Sequence, residues 1–198
     1  MIPRLRTSTR PGKQFVWLCL WNDVRRLPRV HRVIDAGCGP MLNRPMFDAD
    51  EYVGIDPDER GLQQGLERFP DAVGVHSTIA EAPDIEGQVV VCTQVLASAP
   101  FDPGETIATV RALVRLTEPG GILLFNTSSR TSAYEESVHA ILRESFESVR
   151  RVRYGAMYER HLPWWASLLI AVTMVALPAL RGDGASYYAC SGRLRLRD

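Results

Sequence analysis

The sequence predicts an α/β protein with a Rossmann-like, mainly parallel sheet. Short runs rich in Val and Ile alternate with longer amphipathic segments, as in strands connected by helices. The run Val33–Ala36 is followed by Gly37 and Gly39, and a second run, Tyr52–Ile55, ends at Asp56. Glycines after a buried parallel strand let a ligand approach the backbone, and an acidic residue after the next strand can bind ribose hydroxyls. The pattern therefore predicts a nucleoside-binding crevice at the carboxyl ends of the strands.

Four motifs, in this order, resemble those of class I methyltransferases that use S-adenosylmethionine (SAM), of the kind found in ubiquinone and menaquinone biosynthesis. They are Val33-Ile-Asp-Ala-Gly-Cys-Gly39, Gly54-Ile-Asp56, Val90-Val-Cys-Thr-Gln-Val-Leu96 and Leu116-Thr-Glu-Pro-Gly-Gly-Ile-Leu-Leu124. The resemblance covers about residues 30–127. It implies a seven-stranded sheet of order 3-2-1-4-5-7-6, with the last strand antiparallel and helices on both faces. It also implies SAM as cofactor and methyl transfer to an acceptor that the motifs do not identify.

The residues that match these motifs are the candidate cofactor site. In the family, the acidic residue before the glycines lies near the amino-acid part of SAM, and Asp35 matches that position. Coulomb attraction to the ammonium and sulfonium groups favours a carboxylate there, and capping of the next turn is the alternative. Asp56 is expected to bind the ribose hydroxyls, with a helix cap as the alternative. The candidate cofactor-binding residues are Asp35, Gly37, Cys38, Gly39, Asp56, Pro57, Ile79, Ala80, Thr93 and Gln94, and no metal ligand is predicted.

Two departures from the family pattern bear on catalysis. Ile79 stands where relatives carry an Asp that contacts adenine, and an apolar side chain there can pack on the adenine ring but cannot accept from its amino group. Ala97 and Ser98 replace a Glu-His pair that many relatives carry beside the acceptor. A non-catalytic SAM-binding or degenerate methyltransferase-fold module is therefore an alternative. No general base is assigned, and the candidates are Tyr154, Tyr158, Glu159 and His161.

The glycine loop argues against another alternative, an NAD-dependent oxidoreductase. Dinucleotide enzymes use a third glycine for close helix packing and a helix N-terminus to bind pyrophosphate. In this chain Leu42 stands at the third glycine position, and Pro40 removes a backbone donor. SAM has no phosphate and tolerates both changes. Nucleic-acid modification is also disfavoured, because no Asn/Asp-Pro-Pro-Tyr motif follows the fourth strand, so no nucleic-acid partner is expected.

Length, charge and cysteine usage are those expected of one cytoplasmic domain. The 198 residues include four cysteines without paired spacing, which predict neither a zinc site nor a disulfide framework. The net charge is zero, but residues 1–32 carry eight basic and one acidic residue, while residues 33–137 carry six basic and seventeen acidic. The basic ends either complement the acidic middle or contact an anionic partner. We predict a flexible basic arm over 1–13 and a single methyltransferase domain over 14–198.

A helix is predicted over Gln14–Leu27, across the sheet edge, where it covers the cofactor pocket. Its Trp17 and Trp21 are four residues apart and therefore share one face of the helix. Packing of that face against the core explains both residues, and a ligand contact is the alternative.

An apolar insert is predicted over residues 160–184, between the last two strands. Residues 162–180 contain no charge, and their number approaches the roughly 20 residues that cross a bilayer. Because the strands on either side belong to one sheet, a single crossing would separate them, so a helix lying at a membrane surface or on a lipid substrate is favoured. Self-association, core packing and a true span are alternatives. The expected partners are a lipid-like small-molecule acceptor and, through 162–180, the inner face of a membrane.

Overall fold

The computed structural model describes residues 8–96, 102–127, 134–155 and 161–195. The strands are β1 (Val30–Ala36), β2 (Ala49–Asp56), β3 (Val73–His76), β4 (Gly87–Cys92), β5 (Thr117–Asn126), β6 (Phe146–Gly155) and β7 (Gly184–Arg193). The helices are α1 (Pro11–Val24), α2 (Glu59–Arg68), α3 (Pro103–Leu116), α4 (Glu135–Ser145) and α5 (Trp164–Ala176), with short 3-10 helices at Arg44–Met46 and Pro178–Leu180.

The strands form one seven-stranded sheet of order β3-β2-β1-β4-β5-β7-β6. The first five strands in the chain pair in parallel, and β7 runs antiparallel to both β5 and β6. This confirms the predicted fold class and strand order. The chain leaves β1 toward β2 on one side and later returns to β4 on the other, so a crevice opens between the carboxyl ends of β1 and β4.

Alternation along the central strands divides the core into two layers. Val89 and Val91 of β4 pack in the layer that also contains Phe15 of α1 and Met174 of α5. Val90, between them, packs in the opposite layer with side chains of α3 and α4. Successive side chains of a strand point to opposite faces, so a buried strand must be apolar on both. The continuous Val run of β4 meets that requirement.

Helix α1 begins earlier than predicted, at Pro11 rather than Gln14, and ends at Val24. Proline suits the first turn of a helix because its missing N–H has no partner there in any case. Residues 8–13 are also part of the fold rather than of a flexible arm: the backbone oxygen of Thr9 accepts from Leu162 N at 2.8 Å. The predicted arm is corrected for these residues, and residues 1–7 lie outside the described part of the chain.

Strand β5 includes the glycine pair of the Leu116–Leu124 motif. Gly87 pairs with Thr117, and the register then shifts so that Val89 pairs with Ile122. Gly120 lies inside this irregularity with a φ of +80°, which glycine adopts without strain. Strand β7 begins at Gly184 and pairs with the whole of β6.

The apolar insert forms α5 followed by a 3-10 turn, and it lies beside α1. Ala171 and Met174 are buried in the same layer as Phe15 and Leu20. None of the helices in the described ranges combines the length and the apolar character needed to span a bilayer.

Candidate functional site

A cavity of about 770 Å³ opens at the carboxyl ends of β1, β2 and β4. Its volume lies within the range of small-molecule sites. Every predicted cofactor-binding residue except Asp35 lines it: Gly37, Cys38, Gly39, Asp56, Pro57, Ile79, Ala80, Thr93 and Gln94. The structure thus brings together residues from four separate segments of the sequence, and their contact with a cofactor stays a prediction.

The loop after β1 forms one wall of the cavity with its backbone. Gly37 and Gly39 have φ values of +75° and +46°, which favour glycine. The N–H groups of Gly37 and Cys38 donate to the carbonyl of Ile55, at 2.7 and 3.1 Å, which fixes the loop to the end of β2. A Cβ on Gly37 would lie 2.1 Å from Cγ2 of Val95. Any larger residue at position 37 would therefore push the loop and the end of β4 apart.

Asp56 faces this loop, as predicted. Its Oδ2 accepts from Gly39 N at 2.6 Å, and its Oδ1 accepts from Asp58 N at 2.8 Å. Two carboxylate oxygens offer about four acceptor sites, so capacity remains for hydroxyl groups in the cavity. The residue that caps α2 is Asp58, whose Oδ1 accepts from Arg60 N. Asp56 is therefore available for a ligand, and its binding of a ribose stays a prediction.

Asp35 does not line the cavity, and its place near the amino-acid part of a ligand stays a prediction. Its carboxylate is fully buried and accepts from the Tyr52 hydroxyl at 2.5 Å and from Asn43 Nδ2 at 3.1 Å. Val33 and Asp35 share the sheet face on which Tyr52 lies. Asp35 stands one residue before the end of β1, where Tyr52 and Asn43 cover its carboxylate. Burial, and next the charge of Asp35, hold the pKa of the Tyr52 hydroxyl well above its usual value.

Asn43 joins this buried carboxylate to the cavity, and sequence reasoning missed it. Its Nδ2 donates to Asp35 Oδ1 and also, at 3.2 Å, to Thr93 Oγ1. Asn43 and Thr93 both line the cavity. Asn43 precedes a short 3-10 helix in a segment without hydrophobic periodicity, so no sequence signal marked it.

The cavity wall carries more acidic than basic groups. Asp56, Asp58 and Glu105 line it, and Lys13 is its basic residue within the described chain. Burial, followed by the carboxylates of Asp35 and Asp56, raises the pKa of the Cys38 thiol above its ordinary value. That thiol is therefore protonated at neutral pH and is not a nucleophile. The acidic wall favours a ligand that carries positive charge.

The end of β4 holds an uncommon backbone conformation beside the cavity. Gln94 has a φ of 68°, and its N–H donates to Oδ1 of the buried Asn126 at 2.8 Å. A left-handed non-glycine residue costs about 1–3 kcal/mol, and such strain clusters at functional sites. Asn126 also donates to the Tyr154 hydroxyl at 3.2 Å. The sequence predicted Gln94 at the site but gave no indication of Asn126.

Two helices complete the walls. Gln14 and Trp17 of α1 lie on one side, and Glu105, Ala108 and Thr109 of α3 lie on another. Trp17 is only 6% exposed and packs in the core, as predicted, while it also lines the cavity; its contact with a ligand stays a prediction. The position of α1 over the pocket agrees with its prediction, whereas the contribution of α3 was not predicted.

The candidate bases do not lie on this wall where the structure describes them. Tyr154 is buried, and its hydroxyl bonds to Asn126 and to the carbonyl of Thr127. His161 is exposed and contacts Thr9 Oγ1 at 2.8 Å and Arg10 Nε at 3.2 Å. Neither lines the cavity, and no base is assigned. Tyr158, Glu159, Ala97 and Ser98 lie outside the described residues, and within those residues no His, Cys, Asp and Glu side chains are grouped so as to hold a metal.

A family model described as a methyltransferase domain matches residues 13–173. The chain belongs to this family. The match confirms the resemblance to class I methyltransferases, and the sheet order is the one this resemblance implied. The alternative of an NAD-dependent oxidoreductase has no support from it.

Similar proteins agree with this membership. The ubiquinone biosynthesis O-methyltransferase of Thiobacillus denitrificans is 31% identical over 121 residues, 57% of this chain and 50% of the relative. The chain thus spans about half the length of that relative. The N-methyltransferase NodS of Bradyrhizobium japonicum, solved with S-adenosyl-L-homocysteine, has a TM-score of 0.62 at 17% identity, covering 90% of this chain and 87% of NodS. The [4+2]-cyclase SpnF has a TM-score of 0.58 at 15% identity, covering 91% and 80%.

Proposed function

We propose that this chain is a SAM-dependent methyltransferase whose acceptor is a hydrophobic, lipid-like small molecule. One observation carries the proposal: the Asp56 carboxylate bonds to Gly39 at the rim of a cavity bounded by the glycine loop and the end of β4. A ligand with a sugar diol at one end and a small cationic group at the other matches that arrangement.

The cavity residues divide the recognition of SAM among them. Asp56 accepts from the ribose hydroxyls, and Pro57, Ile79 and Ala80 offer apolar surface to adenine. The backbone of the glycine loop leaves room for the amino-acid part. Asp35 lies beneath the wall and bonds to Asn43, so its negative charge acts on the ligand without direct contact.

SAM supplies an electrophilic methyl group on its sulfonium, so the protein's work is to bind, align and exclude water. Trp17 and Gln14 cover the cavity from α1 and keep it partly closed to solvent. Gln94 and Thr93 stand at the end of β4, where the acceptor would meet the methyl group. Holding two reactants in line and dry supplies much of the catalytic effect in such a site.

The acceptor class follows from the apolar surfaces in and around the site. Leu42, Val95 and Ala108 line the cavity together with Trp17, and apolar helix α5 packs on the helix that carries Trp17. The name of the 31% identical relative, a ubiquinone biosynthesis O-methyltransferase, supports an acceptor with a hydrophobic part.

A second candidate is a SAM-binding module that does not transfer methyl groups. Ile79 lacks the acceptor that relatives offer to adenine, and SpnF, with a similar fold, is named as a [4+2]-cyclase. One fold can support more than one kind of reaction, so the function has to be inferred from the residues of the site.

Titration calorimetry with SAM tests the binding step. We expect Asp56→Asn to raise the dissociation constant at least about tenfold, because one acceptor toward the ribose is lost. Asp48→Asn, at the other end of β2 and 78% exposed, is the matched control and should bind as the wild type does. Equal affinity in all three proteins would contradict the assigned site.

Transfer of radiolabelled methyl from SAM into cell-extract fractions separates the two candidates. The proposed function predicts label in the lipid fraction, and less of it with Asp56→Asn. Label only in the water-soluble fraction would contradict the hydrophobic acceptor. SAM binding with no label in either fraction would favour the second candidate.

A further inference from the structure

The exposed face of α5 and its following turn is the largest concentration of exposed apolar side chains among the described residues. Seven of the nine exposed large hydrophobic residues lie in this segment. Leu169 and Trp165 are 64% and 60% exposed. We call this surface the α5 face; its members are Trp164, Trp165, Leu169, Val172, Val175, Leu177 and Leu180. An exposed apolar surface of this extent usually marks an interaction site.

The opposite side of α5 fixes the helix in place. Ser167, Ala171 and Met174 follow helical spacing and are buried against the α1 side of the core. Arg181 donates from Nε to the Met174 carbonyl at 2.8 Å, and its guanidinium lies 5.8 Å from the centroid of the Phe15 ring. These three buried residues therefore hold the helix against the core, while its Trp, Leu and Val side chains face outward.

Cationic groups flank the α5 face at both ends. Residues 162–180 contain no charge. Arg10 is exposed and bonds to His161 just before α5, and Arg181 follows the 3-10 turn. Exposed Trp side chains at one end suit the boundary between headgroups and acyl chains, where Arg and Lys also meet lipid phosphates. This is the pattern of a helix that lies in an anionic lipid surface.

A second copy of the chain fits the α5 face less well. In a two-fold contact through this helix, whether parallel or antiparallel, the cationic ends of one copy would meet those of the other. Arg10 and Arg181 would then be close to like charges in an apolar contact. Anionic headgroups instead complement both ends.

The residues just before α5 contact a segment that lines the cavity. Leu162 N donates to the Thr9 carbonyl at 2.8 Å, and Thr9 Oγ1 contacts His161 Nδ1. The neighbouring Ser8 and the exposed Lys13 line the cavity. A membrane that binds the α5 face would therefore also lie near the residues at this side of the cavity.

We propose that α5 docks in the plane of an anionic lipid bilayer, with the α5 face at the acyl-chain boundary and the exposed Arg10 at the headgroups. The inference extends the proposed function, since it names the surface from which a lipid-like acceptor enters. The docking itself requires neither SAM nor methyl transfer, so the two can fail separately.

Co-sedimentation of the full chain with vesicles tests the proposal. We expect binding to vesicles of phosphatidylcholine with phosphatidylglycerol, and weaker binding to phosphatidylcholine alone or at high salt. The double variant Leu169→Asp/Val172→Asp should lower the partition coefficient by about tenfold or more, because it places charges on the apolar face. Val73→Asp changes a 46% exposed residue on the far edge strand β3 and should bind as the wild type does. Arg10→Glu should lower the preference for anionic vesicles.

Equal partition of the wild type and the double variant would overturn the proposal. So would a wild-type dimer in sedimentation velocity that the double variant converts to monomer without any vesicle binding, since a second copy would then occupy the face. If circular dichroism shows the double variant unfolded, Trp164→Ser/Trp165→Ser replaces it with the same expected loss. SAM titration of each variant reports on the proposed function separately: SAM binding without vesicle binding overturns docking alone.

Discussion

Asp35 and Asp56 end neighbouring parallel strands and both belong to motifs that indicate a ligand contact, but only Asp56 reaches the cavity. Asp35 lies on the sheet face of Tyr52 and is fully buried. Asp56 lies at the last position of β2, where its carboxylate accepts from the backbone of the glycine loop. Both carboxylates lie on the same sheet face, because Asp35 pairs with Gly54, two residues before Asp56. Position along the strands, and not the face, therefore separates a charge beneath the site from a charge on its wall.

Asp35→Ala has the largest expected effect and would test the buried role directly. The change removes the acceptor of the Tyr52 hydroxyl and one acceptor of the Asn43 amide, so we expect the free energy of unfolding to fall by about 3 kcal/mol. Denaturant unfolding measures it. Asp35→Asn keeps one acceptor oxygen and should lose less than half as much. A loss below about 1 kcal/mol for Asp35→Ala would return Asp35 to the role of a ligand contact.

Asp56→Ala should weaken SAM binding strongly and lower the stability of the fold only a little. We expect the SAM dissociation constant to rise by about tenfold to a hundredfold, and the free energy of unfolding to fall by only about 1 kcal/mol. Calorimetry and thermal unfolding of the same preparation measure both. If Asp56→Ala lost as much stability as Asp35→Ala, with unchanged SAM affinity, the contrast between the two carboxylates would be wrong.

Tyr52→Phe tests the buried role of Asp35 through the pH dependence of the free energy of unfolding. An unfolded tyrosine titrates near pH 10, whereas burial and then the Asp35 charge raise the pKa of the folded Tyr52 well above that value. Above about pH 10 only the unfolded chain loses this proton, so the stabilisation present below pH 10 declines as the pH rises. We expect Tyr52→Phe to cost about 1.5 kcal/mol at neutral pH and to flatten this alkaline decline.

Tyr187→Phe is the control for the pH measurement. Burial, followed by Asp23, raises the pKa of the Tyr187 hydroxyl as well, far from the cavity. Tyr187→Phe should flatten the alkaline decline of the free energy of unfolding without any change in SAM affinity. An alkaline decline that stays as steep in Tyr52→Phe as in the wild type would contradict the Asp35–Tyr52 bond.

Gln94→Gly has the smallest expected effect and extends the comparison to the end of β4. Relief of the left-handed conformation should raise the free energy of unfolding by up to about 1 kcal/mol. Met41, the other non-glycine residue with positive φ in the described ranges, is fully buried, so Met41→Gly should destabilise instead through lost packing. Thermal unfolding compares the two. A destabilised Gln94→Gly would mean that the side chain, and not only the backbone, supports the wall.

The resemblance of the sequence motifs to the methyltransferase family was sufficient for the sheet order, and the motifs themselves identified the glycine loop and the strand ends of the cavity wall. Gly37, Gly39 and Asp56 follow strands, and the carboxyl ends of parallel strands meet at one edge, so these residues had to converge. The run of valines in β4 likewise required helices on both faces of the sheet.

The missing parts of the site are contacts between residues that no local pattern connects. Asn43 lies in a segment without hydrophobic periodicity, and Asn126 is the last residue of β5. Each makes a hydrogen bond to a residue far along the chain. The burial of Asp35 depended on its contacts with Tyr52 of β2 and with Asn43, which the motif did not specify. The sequence alone did not show that Pro11 belongs to the first turn of α1. Its place there becomes clear from the bonds that join residues 8–10 to the segment just before α5.

The antiparallel direction of β7 has a practical consequence for measurement. Its last residue, Arg193, pairs with Phe146 at the sheet edge opposite the carboxyl ends of β1 and β4. A surface linker attached beyond Arg193 would therefore leave both the cavity and the apolar helix directed into free solution. One immobilised sample could then report cofactor uptake and vesicle capture in succession, whereas attachment before Ser8 would place the support against both.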